Sequence, residues 1–160
     1  MKRVFSVVTV VVLGMLVSRV LLAQSDPFSG TWKMNTAKSK LGPGPAPQTR
    51  TLTYEAQGDG VKSSTEDTAA DGSRTSWNYT ANYDGKDNPI SGTGVPGEAD
   101  TIALKRINPA TIKATFKKAG KVVRTSRRVV SKDGQVMSIT AKGTNPDGQK
   151  VSDVLVLDKQ

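Results

Sequence analysis

Three arginines and three aromatic residues are the groups in this 160-residue chain whose spacing could do chemistry. Arg106 follows Ile102 and Leu104 at intervals of two, so in an extended strand all three share a face. Arg124 and Arg128 in "VVRTSRRVV" also fall on one face, with Arg127 on the other. A guanidinium on an inward face is costly unless it is paired, with an internal acid or with a ligand, and it can grip a carboxylate or phosphate through two hydrogen bonds. Trp77, Tyr79 and Tyr83 line a face in the same way, as core packing or as a wall for an apolar chain to lie against. An open interior would then take an apolar or amphipathic molecule with an anionic head. Arg106 would hold the head, helped by Arg124 or Arg128, with Trp77, Tyr79 and Tyr83 along the tail.

Catalysis finds little to work with. There is no histidine and no cysteine, which removes the commonest general base, the usual zinc and haem ligands and every thiol nucleophile. Glu66-Asp67 and Asp84 with Asp87 are the remaining acid–base candidates. The first two point to opposite faces of a strand, and Asp84 belongs to a turn, so no catalytic residue is assigned. Gly92-Thr93-Gly94-Val95-Pro96-Gly97 matches a dinucleotide-binding pattern in letters only. Pro96 and the strand-like "DTIALKRI" after it leave no helix N-terminus for a pyrophosphate, and the stretch reads as a flexible loop. The Asp-Gly pairs lack the closely spaced acids of a calcium loop. Neither a cofactor nor a metal is expected.

The elements that must position these groups are strands. Asp59-Gly60, Asp71-Gly72, Asp84-Gly85, Asp133-Gly134 and Asp147-Gly148 are tight-turn pairs, joined by turns at Asn108-Pro109-Ala110 and Ala119-Gly120-Lys121. Between them lie ten segments of strand composition: 30–35, 49–57, 61–68, 75–83, 88–91, 100–107, 111–118, 122–131, 136–143 and 150–158. Short connections make neighbours antiparallel, and closure removes the two exposed edges that such a meander would leave. The expected fold is therefore all-β, a single antiparallel up-and-down barrel of about ten strands over residues 26–160. Alternation places Trp32, Met34, Leu52, Tyr54, Trp77, Tyr79, Tyr83, Ile102, Leu104, Ile112, Phe116, Met137 and Ile139 inside. Pro43, Pro45 and Pro47 exclude regular structure from 36–48, an irregular crossing that covers one end of the barrel.

Lys2 and Arg3, the apolar run Val7 to Val17 and the small residues Ala23 and Ser25 have the layout of a secretory signal peptide over residues 1–25. Arg19 interrupts the run before it reaches the length of a transmembrane helix. Export to the periplasm or the exterior is expected, with no membrane span in the mature chain. Removing Lys2, Arg3 and Arg19 takes the formal charge from +9 to +6. The basic residues are spread over many segments, dense only at Lys117-Lys118 with Lys121 and at Arg124 with Arg127-Arg128. They read as a solvated surface with no nucleic-acid partner.

"FSGTWKMN", with Gly30-Thr31-Trp32, resembles the first-strand motif of the calycin superfamily, the lipocalins and fatty-acid-binding proteins. Together with "GTWKMNTAKSK", "YDGKD", "KAGKVV" and "RVVSKDGQVMSITAKGTN", it makes most of the chain similar to a group of uncharacterised bacterial secreted lipocalin-like proteins. The resemblance implies a barrel, a small-ligand carrier, and an end closed by Gly30 and Trp32 with Lys159 packed over the indole. It departs from fatty-acid-binding proteins at 36–48, where prolines replace the two lid helices, and in "VSDVLVLDKQ", which lacks their Arg-x-Tyr.

Overall fold

The computed structural model describes residues 26–43, 46–144 and 148–160. The expected leader at 1–25, Pro45 of the proline series and Asp147 of the last Asp-Gly pair lie outside the described residues. Ten strands follow one another: β1 (Gly30–Met34), β2 (Thr49–Gln57), β3 (Gly60–Thr68), β4 (Arg74–Asn82), β5 (Asp84–Gly92), β6 (Thr101–Asn108), β7 (Thr111–Lys118), β8 (Lys121–Val130), β9 (Val136–Thr144) and β10 (Lys150–Lys159). Each pairs antiparallel with its sequence neighbours, and β1 pairs with β10 as well as β2, so the sheet closes into a barrel. All ten strands and the core they enclose are built from the described residues of 26–160.

Alternation decides what is inside. Trp32, Ile102, Leu104, Met137 and Leu157 are fully buried, and the exposed positions between them carry Lys33, Lys105 and Thr140. Ten inward rows on a closed sheet give one contiguous apolar core, built from burial rather than from intrinsic strand preference.

Two expectations need correction. The fifth strand is longer than 88–91, because the polar stretch Asp84–Asn88 pairs with β6 (Asp84 with Lys105, Asp87 with Ala103) while only Trp77–Gly92, Asn78–Ser91 and Tyr79–Ile90 join β5 to β4. Its first half contributes few buried side chains, so no apolar alternation marks it. The glycine-rich segment is packed instead of free. Gly92, at φ +119°, lies so close to β4 that a Cβ there would meet the Ser76 carbonyl oxygen at 2.1 Å, and a short 3₁₀ turn follows at Pro96–Glu98.

The crossing from β1 to β2 runs alongside β10. Lys40 and Val154 exchange two backbone hydrogen bonds of 2.7 Å, and the Gly42 N–H donates to Asp153 Oδ1 at 2.6 Å. Leu41 packs against the core, and Pro43, Ala46 and Pro47 face Pro96 and Gly97 of the β5–β6 loop across a groove of about 230 Å³. Among the described residues no helix is long and apolar enough to cross a membrane.

Candidate functional site

The six residues singled out by type and spacing separate into two clusters. Arg106 and Tyr83 lie at the end of the barrel that holds Trp32. There the Arg106 guanidinium pairs with the Asp26 carboxylate, donates to the Pro109 carbonyl at 3.0 Å and lies 3.9 Å over the Tyr83 ring. Tyr83 donates to the same carboxylate at 3.2 Å. Burial, and then the charge of Asp26, push the Tyr83 phenol above its ordinary range. Arg106 thus faces inward as its phase requires, and Asp26 supplies its counter-charge. Next to this cluster the Trp32 indole N–H donates to the Phe28 carbonyl at 2.8 Å, and Lys159 Nζ stands 5.1 Å from its ring centre. Lys159 is the strand partner of Trp32; a Cβ on Gly30 would stand 3.0 Å from its Cε and press the lysine aside, and φ +121° at this position itself favours glycine.

Trp77, Tyr79, Arg124 and Arg128 are brought together towards the other end. Arg128 is 4% exposed and donates to the hydroxyls of Tyr54 (2.8 Å) and Tyr79 (2.7 Å). Tyr79 stacks on Trp77, whose edge meets Phe116. Burial raises the Tyr54 phenol well above its ordinary value, so it remains a neutral oxygen facing the cation. For Arg128, burial opposes the charge and the tyrosine oxygens support it. A guanidinium holds its proton throughout the range in which proteins work, so the charge stays.

Beside Arg128 is a cavity of about 50 Å³, lined by Leu52, Thr65, Trp77, Phe116, Ser126 and Ile139, among others. Four buried polar atoms in the described residues lack a hydrogen-bond partner: Thr65 Oγ1, Trp77 Nε1, Ser126 Oγ and Arg128 Nε. All four belong to residues that line this cavity. Each can donate a proton, and burying such groups unpaired is expensive. The cavity opens past Arg50, Pro96 and Arg124, which also border the groove under the crossing segment. Arg50 grips Asp67 with two bonds, Nε to Oδ1 at 2.7 Å and Nη2 to Oδ2 at 2.5 Å, and Arg124 pairs with Asp153. Two carboxylates therefore serve two of the three guanidiniums at this end, and the third, Arg128, has only phenol oxygens.

Tyr54, Thr65, Ser126, Arg50, Asp67 and Asp153 complete the site; the sequence marked Tyr54 only as a core position and Asp67 only as an acid–base candidate, and did not mark the other four. Their phase carries the signal: Arg50 alternates with Leu52 and Tyr54, Thr65 with Val61 and Ser63, and Asp153 with Leu155 and Leu157. Among the described residues no cluster of acids could hold a metal ion.

No protein-family model matches the sequence, and no curated protein does. Among solved structures, zebrafish ileal bile acid-binding protein in complex with cholic acid shares the fold at a TM-score of 0.51 and 12% identity, over 84% of this chain and 99% of that one. At that identity the likeness is one of fold alone, the fold of this chain being an all-β, ten-stranded closed barrel.

Proposed function

We propose that the protein is an exported carrier of a small amphipathic molecule whose anionic head seats at Arg128. The observation that carries this reading is the surplus cation. Arg128 is buried with no carboxylate against it, and the unpaired donors of Trp77, Ser126, Thr65 and its own Nε surround the adjoining cavity. A buried charge without a counter-ion is among the most costly arrangements a fold can hold, and a bound anion removes that cost.

Volume decides how much of the ligand enters. About 50 Å³ holds a few water-sized groups, since one needs roughly 10–15 Å³, whereas a pocket for a whole drug-sized molecule is about 300–1,000 Å³. The head therefore enters, and the apolar part lies outward in the groove beside Leu41, Pro43, Pro47 and Pro96. The fold of the bile acid-binding protein supports a ligand-binding barrel. Export rests on Lys2, Arg3, the Val7 to Val17 run and the small residues Ala23 and Ser25.

Calorimetric titration with octanoate, octanol and acetate tests the reading. Octanoate should bind, acetate should bind more weakly through the head alone, and octanol should give no heat. Equal affinity for octanoate and octanol would remove the charge from recognition and refute the proposal. N-terminal sequencing of protein recovered from its host would show a start at Asp26 if the leader is cleaved.

A further inference from the structure

The basic residues are concentrated on one wall of the barrel. Residues 101–144, which make β6 to β9, contain eleven Lys and Arg against one Asp, a net +10, while the rest of 26–160 carries a net −4. Five of the eleven have a use already: Arg106, Arg124 and Arg128 inside, and Lys117 and Lys118 in pairs with Asp87 and Glu98 at the rim. The centre of the outer wall is different. Lys105, Lys113 and Arg127 are directly opposite one another on β6, β7 and β8, all exposed, and Lys142 stands opposite Thr125 on β9. None of the four side chains has an ion-pair or hydrogen-bond partner among the described residues.

At a strand spacing of about 4.8 Å, three cations fall within roughly 10 Å of one another. Like charges placed opposite each other across strands destabilise a sheet, so the row is a liability that an anionic counter-surface would turn into attraction. Between the cations lie the hydroxyls of Thr115, Thr125 and Thr140, and Ile107 is 49% exposed beside a shallow depression that Lys113 and Arg127 also border.

We propose that this outer wall of β6 to β9 docks the barrel on an anionic lipid bilayer, with Lys105, Lys113, Arg127 and Lys142 against the head groups and Ile107 among them. Nucleic acid fits the wall less well. The aromatic side chains of the described residues are in the core or packed against it, which leaves none outside for bases to stack on. The wall also presents no helix or projecting ribbon to enter a groove.

The test is co-sedimentation of a chain beginning at Asp26, free of the apolar Val7 to Val17 run, with two kinds of vesicle. One contains phosphatidylcholine and phosphatidylglycerol in equal parts, the other phosphatidylcholine alone. Each cation near an anionic surface contributes a factor of about five, so Lys113→Thr with Arg127→Thr should lower affinity for the mixed vesicles about 25-fold. Threonine keeps strand preference, and an unchanged circular dichroism spectrum establishes folding. Lys33→Thr with Lys62→Thr, on β1 and β3 across the barrel, should bind nearly as well as wild type. Binding of the wild type should weaken as salt rises. Equal binding to both vesicles would overturn the proposal. So would equal losses in the two double variants, or release from the mixed vesicles by duplex DNA at matched phosphate concentration.

Discussion

Arg128 Nη1 donates to the Tyr79 hydroxyl at 2.7 Å, and Tyr79 stacks on Trp77, so a cation, a phenol and an indole from β8 and β4 form one buried unit inside the barrel. Arg50 and Arg124 at the mouth have carboxylates of their own, whereas this unit ends in unpaired donors. Its asymmetry, more positive than the groups around it can neutralise, is what a ligand would complete.

Arg128→Met should therefore reduce octanoate affinity by roughly ten- to a hundred-fold, the value of a charge-assisted hydrogen bond of about 1.5–3 kcal/mol. It leaves no carboxylate stranded, so stability should fall by less than the 3–5 kcal/mol typical of a broken buried ion pair. In wild type, octanoate at about a hundred times its Kd should stabilise the barrel by about 2.7 kcal/mol, measured as a shift in the urea midpoint. A wild-type midpoint that does not move would sink the carrier reading.

Arg106→Ala is expected to act on folding alone. It strands Asp26 in a pair whose side chains are 27% and 17% exposed, a loss of about 2 kcal/mol after allowance for solvent screening. Octanoate affinity should be unchanged. A clear loss of affinity in this variant would return Arg106 to the site.

At the same end of the barrel, Trp32 is fully buried with its N–H satisfied by Phe28. Trp32→Ala should cost about 3–5 kcal/mol by chemical denaturation, the usual range for deleting a large core aromatic. A loss under about 1 kcal/mol would contradict its burial.

Alkaline pH provides an independent check. Burial, the largest cause for both Tyr54 and Tyr83, raises these phenols above the ordinary value of 10.0. A raised folded-state pKa contributes stability that is fully present below the unfolded value and is lost as pH climbs towards the folded one. Stability should thus be level below pH 10 on this account and decline above it. Tyrosinate absorbance from Tyr54 and Tyr83 should appear only with unfolding, and their ionisation in the folded protein near pH 10 would contradict their burial.

Much of the fold was legible in the sequence because its signals are local. Turn pairs such as Asp59-Gly60 and the two-residue alternation of Leu52 with Tyr54 depend on neighbours along the chain, and the strands Thr49–Gln57 and Thr111–Lys118 coincide with the segments read from them. Alternation also separated Arg124 and Arg128 from Arg127, since strand phase assigns a side chain to a face whatever its partners are, and the structure turns the first two inward. Polar Asp84–Asn88 carried no such pattern, and its pairing with β6 emerged only in the assembled sheet.

Partnership was decided by closure. The sequence alone determined that Arg106 shares the apolar face of Ile102 and Leu104 and that Arg124 and Arg128 share a face, but nothing local distinguishes the partners of the three. Arg106 meets Asp26 from 80 residues away, Arg124 meets Asp153 from 29, and Arg128 meets Tyr54 and Tyr79 from 74 and 49. Those distances along the chain become contacts only when strand pairing and closure of the barrel bring these elements together. The excess of Lys and Arg over 101–144 is a fact of the sequence, but its gathering on one outer wall required four consecutive strands to lie side by side. Strand phase is a property of a few covalently linked residues, whereas the balance of buried charge belongs to the closed sheet, and that balance singled out Arg128.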